Sequence, residues 1–163
     1  MLLEDQDRAR WDAAEIAEGL ALVDAAFRGL PTGAPPGSYL LQAAIAACHA
    51  RSASAEATPW GEIVDLYDIL EAVAPGPVVQ LNRAVAVAMA GGPAAGLVLV
   101  EALNAEGALA DYLHFHATRA DLLRRLGRRA ESAVAYGRAL DLAANEAERA
   151  FLTRRLAEVR AAG

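Results

Sequence analysis

The chain has 163 residues, a formal charge of −6, and 41 alanines and 22 leucines against only 4 isoleucines, a balance that favours helix over sheet. All 15 basic residues are arginine, so a phosphate-loop lysine, a Schiff-base lysine and a Ser-x-x-Lys nucleophile pair are excluded together. The single cysteine, Cys48, excludes an internal disulfide and a Cys-rich zinc site, which makes the cytoplasm the expected compartment.

Apolar residues recur at helical spacing through nearly the whole sequence, and no stretch alternates with period two. The punctuation predicts eight helices, at 7–29, 38–51, 59–74, 77–90, 93–104, 108–126, 129–143 and 145–161. Ile16, Leu20, Val23, Phe27 and Leu30 form the apolar stripe of the first. The loop 31–37, Pro-Thr-Gly-Ala-Pro-Pro-Gly, is the longest break and reads as a joint. Ile63, Leu66, Leu70 and Val73 mark the third helix, which Thr58 is expected to cap with Pro59 at its first position. Pro77 and Pro93 follow glycines in the same way, and Asn145 with Glu148 makes a capping box for the last helix. Residues 84–100 are uncharged, close to the length of a membrane span, but Gly91-Gly92-Pro93 breaks them into two shorter buried helices. The N-terminus lacks the basic and apolar regions of a secretory signal.

A repeat of about 34 residues emerges from the spacing of small and large residues. Leu113 to Ala144 fits the tetratricopeptide pattern, with Ala120, Leu123, Gly127 at the turn, Ser132, Tyr136, Ala139, Leu140 and Leu142. Gly92 repeats the turn 35 residues earlier, with Leu81, Ala84, Val85 and Ala88 before it. Ile63, Tyr67, Leu70 and Pro75 match a further second helix, whose partner is 39–51. The expectation is an all-α, tetratricopeptide-like right-handed superhelix forming one domain over 1–163. It comprises an N-terminal capping helix (1–30), helix pairs at 38–76, 77–107 and 108–144, and a C-terminal capping helix (145–163).

More specific strings accompany the repeat. They are Leu3-Glu4-Asp5-Gln6-Asp7-Arg8-Ala9-Arg10-Trp11-Asp12, then Leu40 to Ala47, Pro77-Val78-Val79-Gln80-Leu81-Asn82-Arg83-Ala84, and Arg119 to Gly127. Over essentially the whole chain this resembles the C-terminal tetratricopeptide-like extension of a group of bacterial extracytoplasmic-function RNA polymerase sigma factors. The resemblance implies a non-enzymatic regulatory domain acting through protein contacts in transcription initiation. Its implied partners are the sigma domains of the same parent chain, core RNA polymerase or a regulatory protein, and no cofactor is implied. In the family this extension follows two promoter- and polymerase-binding sigma domains, which are missing from these residues. The chain therefore reads as a fragment, with DNA contacts belonging to the missing domains. A free-standing tetratricopeptide adaptor unrelated to transcription is the alternative.

Two groups of residues are candidate sites. Asp5, Gln6, Asp7, Arg8, Trp11 and Asp12 form either a docking motif with Trp11 as anchor or a structural helix start in which Arg8 and Asp12 pair one turn apart. Repeat offsets place Gln42, Ile45 and His49, then Asn82, Arg83 and Met89, then His114, Thr118, Asp121 and Arg125 on a concave groove. There Asn82 and Arg83 either hold a peptide or bridge adjacent helices. His114 and His116 point to nearly opposite faces of a helix and no second ligand cluster accompanies them, so no metal is expected. Cys48-His49 lies in an apolar helix without a nucleophile turn, and the Gly91 to Gly96 run follows a helix, not a strand, so neither catalysis nor phosphate binding is expected.

Charge is uneven: residues 1–71 hold 12 acids and 4 arginines, whereas 119–160 hold 10 arginines and 6 acids. Arg124-Arg125, Arg128-Arg129 and Arg154-Arg155 read as a solvated face, a contact for an acidic partner, or a DNA-backbone contact. The negative total weighs against the last.

Overall fold

A computed structural model describes residues 7–161. Among them the secondary structure is entirely helical, as expected: a 3-10 turn at Arg8–Arg10 is followed by α1 (Ala13–Arg28), α2 (Ser38–Ala50), α3 (Trp60–Val73), α4 (Pro77–Gly91), α5 (Pro93–Glu106), α6 (Leu113–Arg125), α7 (Arg129–Asp141) and α8 (Glu146–Ala161). The chain divides into two compact units, one ending at Pro75 and the other beginning at Gly76. No helix among the described residues is long and apolar enough to cross a membrane.

In the first unit α2 packs on α1 and α3. Leu41, Ala44, Ile45, Cys48, Trp60, Ile63 and Leu70 form its buried interior. The α1 stripe of Ile16, Leu20, Val23 and Phe27 is only half-buried, and no residue of α1 is fully covered. The first helix also starts later than its periodicity predicts. Asp12 has extended backbone angles, and its carboxylate accepts from the N–H groups of Ala14 (2.8 Å) and Glu15 (3.1 Å). It is the N-cap of α1, which ends the 3-10 turn before it and removes Asp12 from the predicted pairing with Arg8. Thr58 likewise does not cap α3. Thr58 is buried and its hydroxyl donates to the Ser54 carbonyl at 3.1 Å, while Pro59 takes the N-cap position of α3 without a side-chain cap bond.

In the second unit each helix from α4 to α8 packs on the next in sequence, and α4 also touches α6. The core joins Leu81, Ala84 and Ala88 of α4, Leu97, Val100 and Leu103 of α5, Phe115, Ala120 and Leu123 of α6, Tyr136 and Ala139 of α7, and Leu152 of α8. The repeat residues serve as their sizes predict. Ser132, fully buried, donates from its hydroxyl to the Ala120 carbonyl at 2.8 Å and so joins α6 to α7. Gly96 of α5 lies so close to Ala88 and Ala84 of α4 that a Cβ there would overlap them, reaching within 2.7 Å of the Ala84 oxygen. Only hydrogen at that position lets the two backbones approach this closely.

Gly92, at φ +95°, ends α4 and opens α5, with Pro93 in the first turn as predicted. The Asn145 and Glu148 capping box is present. Asn145 accepts from the Glu148 N–H at 2.9 Å, and the Glu148 carboxylate accepts from the Ala144 N–H at 3.0 Å. The sixth helix begins at Leu113 instead of 108, because Gly107 at φ +71° ends α5 and the following turns carry Leu109 into the core.

Candidate protein-docking site

Within the docking string, Asp5 and Gln6 lie outside the described residues, Asp7 and Asp12 are exposed, and Arg8 and Trp11 are half-buried. Arg8 does not face Asp12. Its Nη1 donates to the carbonyl oxygens of His49 (3.0 Å) and Ser52 (2.6 Å), where α2 ends. The final carbonyls of a helix lack the regular i+4 partner and carry partial negative charge, so a guanidinium there both hydrogen-bonds them and meets the dipole. The same guanidinium lies over the Trp11 ring, 5.2 Å from Cζ to the ring centroid. The string thus fastens the segment preceding α1 to the end of α2.

His49 is the second member of this cluster. Its ring meets Trp60 edge-on at 5.2 Å, and its Nδ1 is buried without a hydrogen-bond partner, as is Nη2 of Arg8. Burial first, and the nearby Arg8 charge second, hold the imidazole pKa below its ordinary value. The indole N–H of Trp60 donates to the Ala55 carbonyl at 3.0 Å, and Arg51 pairs with Glu62. Cys48, fully buried beside them, has its thiol pushed up to about 11, chiefly by burial. Trp60 and Ser52 escaped the sequence reading, although a Trp one residue after a helix-opening proline is a usable signal for a covered helix start.

The groove candidates fall into both units. In the first, Gln42 is exposed and Ile45 belongs to the core. In the second, α4 contributes exposed Asn82 and half-buried Arg83, while α6 contributes exposed His114, half-buried Thr118 and Asp121, and exposed Arg125. Arg125 Nη1 lies 3.8 Å from the sulfur of exposed Met89, which brings α4 and α6 together at this end. Asp121 accepts from Nη2 of Arg124 at 2.6 Å, and this hydrogen bond raises the Arg124 pKa. Asn82, Thr118, His114 and Arg125 offer an amide, a hydroxyl, an imidazole and a guanidinium, the groups that recognise peptide backbone and carboxylates.

The remaining arginines are largely tied to the fold. Arg119 pairs with Glu101 at 2.9 Å between α6 and α5, Arg138 with Asp111 at 3.1 Å, and Arg155 with Glu158 at 3.0 Å. His114 lies edge-on to Tyr112, whereas His116 donates to the Ala110 carbonyl at 2.7 Å. No group of three or more metal-ligating side chains is assembled among the described residues.

Comparison with known proteins gives one informative relationship. An uncharacterized protein of Rhizobium meliloti (strain 1021) is 47% identical over 156 residues, which cover 96% of this chain. The chain spans only 36% of that relative's length. No family model matches the chain. No solved structure matches it.

Proposed function

We propose that this chain is a non-catalytic protein-interaction and regulatory domain of an alternative sigma factor, acting in transcription initiation in the cytoplasm. The observation that carries the reading is the Asp-Arg-x-x-Trp-Asp end of the docking string. Arg8 is held on the end of α2, and Trp11 beside it stays half-exposed, with exposed Asp7 and Asp12 near it in sequence. A half-exposed indole held against a guanidinium and flanked in sequence by carboxylates has the composition of an interface anchor. Its partners are the sigma domains of the same parent protein, core RNA polymerase or a regulatory protein. The consecutive helix packing of the second unit and the mixed polar face of α4 and α6 fit a tetratricopeptide-like superhelix that receives a peptide segment. The long relative supports a parent larger than this segment.

The coding frame upstream of Met1 provides the first test. Sigma domains in frame support the proposal, whereas a natural stop just before Met1 favours the free-standing adaptor. In the full-length protein, Trp11→Ala is expected to reduce sigma-dependent transcription more than it lowers the melting temperature. Undiminished promoter output from that variant removes the docking role. The isolated chain is expected to show no appreciable salt-dependent affinity for duplex DNA.

A further inference from the structure

We infer that the acidic outer face of α1 in one copy of this chain docks on the arginine-rich α6–α7 corner of a second copy. The corner is rigid. Gly127 takes φ +73°, its N–H donates to the Arg124 carbonyl at 3.0 Å, and the Arg128 N–H donates to the Leu123 carbonyl at 2.9 Å. These bonds make a Schellman turn, which fixes the direction of the side chains around it.

Four arginines surround that turn, and they divide into two kinds. Arg124 is bound to Asp121 and Arg128 to Glu131, each at 2.6 Å. Arg125 and Arg129 are exposed and have no carboxylate partner among the described residues. Between and beside them lie partly exposed apolar groups, Leu126 at 36% and Met89 at 38%, the latter touching Arg125 through sulfur. The corner therefore offers two uncompensated positive charges around a small apolar centre.

The outer face of α1 carries the complementary pattern. Positions 15, 18 and 22 share one side of a helix. Glu15 and Glu18 are exposed and form no ion pair among the described residues, and Leu22 on the same side is 65% exposed. The inward stripe of Ile16, Leu20, Val23 and Phe27 is turned away from this side. A leucine beside two carboxylates meets an apolar centre beside two guanidiniums, so charge and hydrophobic matching agree on one register. The residues that flank each patch extend the match, since 1–71 carry 12 acids to 4 arginines and 119–160 carry 10 arginines to 6 acids. The negative total of the chain opposes a nucleic acid on the same corner. Two different patches that recognise each other make a heterologous, head-to-tail contact, stronger at low ionic strength than at high.

Sedimentation velocity of the complete chain over a range of concentrations tests this directly. The expected result is a mean mass that rises with concentration at low salt and returns to the monomer at high salt. Arg125→Glu/Arg129→Glu is expected to abolish the rise, and Glu15→Arg/Glu18→Arg to abolish it as well. Alone, the first variant offers its acidic face only acidic corners, and the second offers its arginine corner only basic helices. In the mixture the intact α1 of the first variant matches the intact corner of the second, and the two reversed patches match with their charges exchanged, so mixing is expected to restore association. Leu22→Ser weakens association without changing charge. All variants lie on exposed positions, and unchanged helical circular dichroism verifies their folding. A monomer at every concentration, association that survives either charge reversal, or a mixture that stays monomeric overturns the proposal. So does a monomer that instead retains polyglutamate or duplex DNA through Arg125 and Arg129, which assigns the corner another occupant.

Discussion

Arg8 and Ser52, 44 residues apart, are joined by a 2.6 Å hydrogen bond from guanidinium to carbonyl oxygen where α2 ends. A second bond from the same nitrogen reaches His49. The charge assists both bonds, and hydrogen bonds to charged groups contribute about 1.5–3 kcal/mol when partly shielded. Arg8→Ala is therefore expected to lower the stability of the first unit by about 1–2 kcal/mol, toward the low end because Arg8 is half-exposed. Urea unfolding followed at the tryptophans, both of which lie in that unit, measures it. An unchanged midpoint would show that the contact contributes nothing.

The second prediction concerns two helical glycines that look alike in sequence. Gly96→Ala is expected to destabilise the second unit by about 1–3 kcal/mol, since the new methyl meets α4 backbone that cannot move aside without parting the helices. Gly137, in α7, has nothing within 4 Å of the same added atom. Gly137→Ala is expected to stabilise by up to about 1 kcal/mol through helix propensity. Opposite signs in thermal melts confirm the pair, and equal signs contradict the close approach of α4 and α5.

His49 supplies a pH dependence. Because its folded-state pKa lies below the ordinary value, the unfolded chain takes up this proton first as pH falls. The stability from neutral His49 is complete above about pH 6.5 and is lost on acidification from there through the folded pKa. His49→Gln is expected to flatten the decline in melting temperature between about pH 7 and 5.5, a range in which ordinary carboxylates stay ionised. An undiminished slope in the variant assigns the decline elsewhere.

Cys48 is expected to resist a disulfide-exchange reagent at neutral pH. The thiolate is the attacking form, and burial pushes this thiol up to about 11. Reaction should become fast only in denaturant, so its rate in native buffer reports opening of the first unit. Rapid labelling of the folded protein would contradict the burial.

The helical class and most of the helix boundaries were legible in the sequence because their causes are local. Proline at Pro77 and Pro93, glycine at Gly92 and Gly127, and the Asn145 and Glu148 box each act within one turn of chain. The periodic small and large residues around Ala120, Ser132 and Tyr136 also disclosed their buried face, since helix geometry alone gathers them. Arg8 resisted this reading. At one-turn spacing Asp12 is its natural partner, yet the Asp12 carboxylate is used by the α1 N–H groups and Arg8 by carbonyls more than 40 residues away.

Composition, periodicity and capping thus determined by themselves an all-helical, lysine-free chain with a repeat of paired helices. Only the tertiary structure decided which charges are consumed and which remain available. It joined Arg119 to Glu101 and Arg138 to Asp111, 18 and 27 residues away, while leaving Arg125 and Arg129 without carboxylates among the described residues. The reason is that backbone preference is decided within a few residues, whereas an ion pair depends on where distant turns bring the ends of long, flexible side chains.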